Sequence, residues 1–159
     1  RVIPECEVDT LIVSFLLNTT TTHEHGIYNV GNQLKKRSDK KLCIGVIDND
    51  LKKHNYFSNF EVKRQVHGLT LQHYPNTSKY LIIVQPAMEK WFIHCTEFLN
   101  DIKPEYTKYT NFKKLRLLAK SQAIQSDQTF KAFLNDVWQK GAPPLLTLQQ
   151  WLKELLNYQ

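Results

Sequence analysis

The chain has 159 residues, 42% of them hydrophobic and 23% charged, a balance ordinary for a soluble globular protein of one domain with room for a small appended subdomain. No apolar run approaches the length of a bilayer span and the first residues carry no signal-peptide pattern, which speaks against a membrane partner and for a cytoplasmic protein. The formal net charge of +6 mildly favours a polyanionic partner, although many soluble proteins are this basic without one. Cys6, Cys43 and Cys95 are odd in number and lack metal-type spacing, so they read as reduced thiols.

In chain order, Arg1 to Glu5 reads as a first strand ending in a carboxylate, with Pro4 tolerable at a strand end because it has no N–H to donate. Val8, Leu11, Ile12, Phe15 and Leu16 follow at helical spacing, and Asp9 in the first turn suits the helix dipole. Thr19 to Gly26 is a polar loop. Its His23-Glu24-His25 has the makings of a metal clip, but two His in a Thr-rich loop are more often simply exposed. A second helix is predicted over Ile27 to Arg37, with Val30 and Leu34 inward and Lys35, Lys36 and Arg37 at its C-terminal end.

Cys43-Ile44-Gly45-Val46-Ile47-Asp48-Asn49-Asp50 is the most informative stretch, a buried-type strand that ends in two acids. Such strands belong to parallel sheets, whose crevice lies beyond their carboxyl ends. Asp48 and Asp50, two residues apart, point to one side in extended geometry. Two carboxylates so placed repel unless a proton or cation joins them, and the matching cation is a hard one, Mg2+ or Mn2+. A solvated strand end is the plainer alternative.

Leu51 to Phe57 mixes basic and aromatic side chains, which suits phosphate and base contacts or, equally, snorkelling lysines. Leu69 to His73 reads as a strand, Tyr74 to Ser78 as a turn and Tyr80 to Val84 as another buried strand. Pro86 closes that strand and opens a helix from Ala87 to Ile93, whose Glu89 can face the crevice or simply complement the helix dipole. From Tyr106 onward the pattern is helical. Phe112, Leu115, Leu118 and Ala119 form a stripe surrounded by Lys113, Lys114, Arg116 and Lys120. Ser126 is placed as the cap of a helix carrying Phe130, Phe133, Leu134, Val137 and Trp138, which Gly141 and Pro143-Pro144 stop. Thr147 and Gln150 make a capping-box pattern for a last helix with Leu148, Trp151, Leu152, Leu155 and Leu156 on its apolar face.

A strand ending in Glu5, a helix carrying Asp9 four residues on, and a later strand ending in Asp48-Asn49-Asp50 resemble the TOPRIM domain of primases, topoisomerases, OLD-type nucleases and small RNA-maturing nucleases. The resemblance spans roughly residues 1 to 95. Pro86-Ala87-Met88-Glu89-Lys90-Trp91 is similar to the Pro-x-x-Glu-x-Trp segment of some TOPRIM-type nuclease relatives. The chain departs from the family at Cys6, which stands where the motif has glycine, and at Leu51-Lys52-Lys53, where no glycine follows Asp50. What the resemblance implies is an α/β fold with a mainly parallel sheet over residues 1–100 and a helical extension over 101–159. It also implies that Glu5, Asp48 and Asp50 are catalytic and, with Glu89, hold Mg2+ or Mn2+, with Asp9 in support. Lys52, Lys53, Lys63 and Arg64 would track the phosphates of a nucleic acid. The expected activity is phosphodiester hydrolysis. The alternative is an inactive module of the same fold that binds nucleic acid, or a partner protein through its C-terminal helices. A receiver-like phosphoacceptor and an Asp-x-Asp phosphatase fit less well, because Gln85-Pro86 ends the late strand and Lys52 stands two residues after Asp50.

Overall fold

The computed structural model describes residues 1–49 and 54–157. Five strands form one sheet: β1 (Val2–Pro4), β2 (Cys43–Asp48), β3 (Glu61–Val66), β4 (Leu69–Tyr74) and β5 (Lys79–Val84), in the order β1-β2-β5-β4-β3. The helices are α1 (Glu7–Leu17), α2 (Ile27–Lys36), α3 (Met88–Thr96), α4 (Thr107–Thr110), α5 (Phe112–Ala119), α6 (Gln128–Gln139) and α7 (Pro143–Asn157).

The sheet is mixed, which corrects the expectation of a mainly parallel one. β1 pairs with β2, and β2 with β5, in parallel, while β4 runs antiparallel to both β5 and β3. Connection length explains the difference, because parallel neighbours need a long crossover and short turns can only reverse the chain. α1 and α2 separate β1 from β2, whereas only His67 and Gly68 separate β3 from β4. Those two residues both have positive φ, at 54° and 71°, as a tight two-residue hairpin turn requires. β3 itself escaped the sequence reading because Glu61-Val62-Lys63-Arg64-Gln65-Val66 is exposed along its whole length and shows no buried alternation.

Side chains alternate across the sheet and so feed two cores. Ile44 and Val46 of β2, with Ile82 and Val84 of β5, face α1, α3 and the C-terminal helices; this core includes Leu11, Trp91, Phe130, Phe133 and Leu152. Ile3, Cys43, Ile47, Leu81 and Ile83 face the other way, onto Val30 and Leu34 of α2 and onto Phe57 and Phe60. Gly45 lies where α2 comes closest: a Cβ there would stand 3.0 Å from side-chain carbons of Leu34, Leu81 and Val30. The C-terminal helices are tied down by polar contacts as well. The Gln149 amide donates to the Leu16 carbonyl at the end of α1 (2.8 Å), and the Gln125 amide donates to the Glu7 carbonyl at its start (2.6 Å).

Two helix starts differ from expectation. Asp127, not Ser126, caps α6, its carboxylate accepting from the Phe130 N–H at 3.0 Å. α7 begins at Pro143, so Thr147 and Gln150 lie inside it and form no cap. Prolines in a first turn are well tolerated, because the N–H groups they lack would be unpaired there anyway. The thiols of Cys6, Cys43 and Cys95 are free. Among the described residues no helix is long and apolar enough to cross a membrane.

Candidate functional site

β1 and β2 run parallel, so their carboxyl ends lie at one end of the sheet, and each ends in an acid. The register pairs Pro4 with Val46, which places Glu5 just beyond the paired part of β1. There its Oε2 accepts the Asp48 backbone N–H at 3.1 Å, taking the place of a backbone carbonyl from a longer β1. Asp48 leaves β2 toward α3, and its Oδ1 accepts the Met88 N–H at 2.8 Å. Met88 is the first residue of α3, so Asp48 satisfies one of the N–H groups that a helix start leaves without a partner, and its charge complements the helix dipole.

Asp9 lies behind this pair, fully buried in α1. Its Oδ2 accepts the Cys6 N–H at 3.2 Å, while among the described residues its Oδ1 has no hydrogen-bond partner. Burial, and after it the negative charge of Asp48, push the Asp9 carboxyl well above the usual carboxylate range; Glu5 adds to the shift. The Cys6 thiol is also raised, by burial first and by Asp9 second, so it is no activated nucleophile.

Glu5, Asp48 and Glu89 line a cavity of about 500 Å³. The loop after α1 contributes to its lining. Glu24 donates its N–H to the Pro4 carbonyl (3.0 Å), and this backbone contact brings His23 and His25 to the cavity. His23 Nε2 lies 3.2 Å from His25 Nδ1 and 3.5 Å from a Glu7 carboxylate oxygen. The lining also includes the cations Lys90 of α3, Arg116 of α5 and Lys120 at its C-cap, with Phe112 of α5.

The structure thus brings Glu5, Asp48 and Glu89 to one cavity, with Asp9 behind them. Asp50, Lys52 and Lys53 lie outside the described residues. Lys63 and Arg64 do not line the cavity. They sit on β3 at the far sheet edge, three strand spacings of about 4.8 Å from β2, where Lys63 pairs with Glu61 (2.8 Å) and Arg64 with Glu154 of α7 (2.6 Å). Sequence reasoning placed Arg116 and Lys120 only among the cations around an apolar stripe and gave them no role. Phe112, Arg116 and Lys120 do recur every four residues, the spacing of one helix face, but only packing decides which face meets a cavity. Glu7 gave no signal of its own beside Asp9.

Among the described residues no three His, Cys, Asp or Glu side chains are close enough together to enclose a metal ion. The chemistry of Glu5 and Asp48 nevertheless suits a hard cation, since Mg2+ keeps several waters and is commonly held by one or two carboxylates. A buried carboxyl with an unpaired oxygen stands behind them, in surroundings whose excess negative charge a cation would offset. No protein family, curated protein or solved structure matches this chain. The likeness to the TOPRIM domain therefore rests on the motif residues alone.

Proposed function

We propose that this protein is a metal-dependent phosphodiesterase acting on nucleic acid, a nuclease of TOPRIM type. The observation that carries the reading is the meeting of Glu5 and Asp48 at the carboxyl ends of parallel β1 and β2, on a cavity that Lys90, Arg116 and Lys120 also line. Glu5 and Asp48, with Asp50 as the motif residue beyond them and Glu89 in support, would hold Mg2+ or Mn2+. When bound, such an ion polarises a phosphodiester oxygen and steadies the leaving oxygen. The chain's own groups do the rest. The Asp48 N–H orients the Glu5 carboxylate, and the Met88 N–H orients that of Asp48, so both acids are positioned before substrate arrives. If Glu5 does not complete the metal's shell, it would instead accept a proton from an attacking water. Asp9, whose carboxyl burial pushes well above the usual carboxylate range, accepts the Cys6 N–H and so keeps that turn in place.

The test uses the purified chain with Mg2+ or Mn2+ and a panel of single- and double-stranded DNA and RNA. Asp48→Asn should abolish cleavage while leaving the circular dichroism spectrum unchanged. Substrates that stay intact with either ion, together with calorimetry that finds no divalent-ion binding removed by Asp48→Asn, would sink the proposal.

One observation favours a second reading, a binding module that keeps this fold without catalysis. Both carboxylates already serve the fold, Asp48 as the cap of α3 and Glu5 as an acceptor for β2. In that case the module binds nucleic acid, or a partner protein through the C-terminal helices, and divalent ions leave its calorimetric trace flat.

A further inference from the structure

The basic side of the cavity belongs to two helices that the carboxylate motifs do not include. Lys90 follows Met88 in α3 by two residues, and Arg116 and Lys120 occupy the last turn and the C-cap of α5. Phe112 ties the first two together. The Lys90 Nζ stands 4.8 Å from the centre of its ring, and the Arg116 guanidinium carbon 5.9 Å. Both are within reach of the ring's negative face, which holds a cation without neutralising it. Among the described residues none of Lys90, Arg116 and Lys120 is in an ion pair. Lys63, Arg64 and Lys108 differ from them in facing Glu61, Glu154 and Asp127. Two cations over one aromatic ring, with Lys120 lining the same cavity, suit a chain of phosphates.

Resting on the phosphodiesterase reading, we infer that the α3–α5 wall is the backbone-binding surface for a single-stranded nucleic acid, with Lys90, Arg116 and Lys120 contacting phosphates next to the one that a metal at Glu5 and Asp48 would engage. A single strand is favoured over a duplex because the acids line a cavity of about 500 Å³, the size of a small-ligand pocket. A flexible strand can bend into it, and a duplex presents its phosphates on a stiff, convex surface. The C-terminal helices are then part of the substrate site, and the loss of Lys63 and Arg64 to ion pairs on β3 leaves the nucleic-acid path intact.

The experiment measures binding of short fluorescein-labelled oligonucleotides (oligo-dT, oligo-U and a DNA duplex of equal length) by anisotropy, in EDTA and over a salt series. The full chain is compared with Arg116→Gln/Lys120→Gln and with Lys113→Gln/Lys114→Gln, which removes the same charge from exposed positions of α5 that do not line the cavity. The cavity-side pair should weaken single-strand binding about tenfold and lower the slope of log K against log salt by about 1.4, at about 0.7 per lost phosphate contact. The control pair should change affinity less than about twofold. Equal losses in both variants, no loss in either, tighter binding of the duplex, or no binding by the unaltered chain would each overturn the inference. Hydrolysis of bis-p-nitrophenyl phosphate, too small to need the wall, reports on Glu5 and Asp48 separately. It should need Asp48 and be untouched by Lys113→Gln/Lys114→Gln, so missing Asp48-dependent hydrolysis marks failure of the acidic centre and equal anisotropy losses in the two double variants mark failure of the wall.

Discussion

Asp48 does two jobs that a pair of substitutions separates. Asn keeps an oxygen to accept the Met88 N–H and removes the charge, whereas Ala removes both. Asp48→Asn should therefore hold the stability of the metal-free protein, because loss of one negative charge beside Glu5 and Asp9 offsets a weaker charge–dipole contact. Asp48→Ala should cost about 1 kcal/mol, the usual cost of a lost helix cap. Urea denaturation in EDTA measures both, and equal losses would mean that the oxygen is unimportant to α3. Asp127 supplies the pH dependence. Burial alone would raise its pKa, but the Tyr109 hydroxyl, the Phe130 N–H and Lys108 outweigh burial and hold the carboxyl below its usual range. Tyr109 Oη lies 2.8 and 2.7 Å from the two carboxylate oxygens. The unfolded chain then binds this proton more readily than the folded one. The stabilisation is thus full above the unfolded pKa of about 3.9 and is lost as pH falls through the lower folded value. Stability curves of the unaltered chain and Asp127→Asn should run a constant distance apart from pH 7 to 5 and converge below about pH 4. A gap that persists in acid would assign the effect to something other than the carboxylate.

Among the elements, the β3–β4 hairpin is joined to the site through α3. The Gln85 N–H donates to the Gly68 carbonyl (2.8 Å), and the Trp91 indole N–H donates to the His67 carbonyl (2.9 Å). Gly68 has φ of 71°, and a Cβ there would come within 2.9 Å of the Gln85 carbonyl oxygen and 3.0 Å of the Trp91 ring. Gly68→Ala should consequently destabilise by about 1–3 kcal/mol through both the left-handed backbone and the crowding, read as a shift of the urea midpoint. Because the turn rests on Trp91 of α3, the same change should disturb Trp fluorescence. A midpoint within error of the unaltered chain would mean that the turn is free to move away from α3.

At the scale of the molecule, the sheet face bearing Ile44, Val46, Ile82 and Val84 shares one hydrophobic core with α1, α3 and the helices after residue 103. Phe133 of α6 is wholly buried there, its ring 5.6 Å from that of Phe92 in α3 and 4.5 Å from that of Tyr106. Phe133→Ala should cost about 3–5 kcal/mol and move the unfolding transition as a whole. Differential scanning calorimetry should show one transition before and after the substitution. Two separable transitions would mean that the C-terminal helices fold on their own.

Much of this was legible in the linear pattern. The Val- and Ile-rich runs at Cys43 to Ile47 and Tyr80 to Val84, the amphipathic spacings from Val8 to Leu16 and from Phe130 to Trp138, and the acids at two strand ends are local signals, since side-chain periodicity and strand termination are properties of neighbours in sequence. Local pattern sufficed for an α/β domain with Glu5 and Asp48 at strand ends. Packing in space settled that β4 reverses against β5, that β3 exists as a wholly exposed edge, and that Lys63 and Arg64 are drawn into ion pairs while Lys90, Arg116 and Lys120 line the cavity of the acids. The physical reason is that strand direction depends on how connections close in space, and an edge strand needs no buried side chains to pair. Which face of a basic helix meets a cavity is set by the packing of its opposite, apolar face, here Leu115 and Ala119 of α5 against a core contributed by residues far away in the chain.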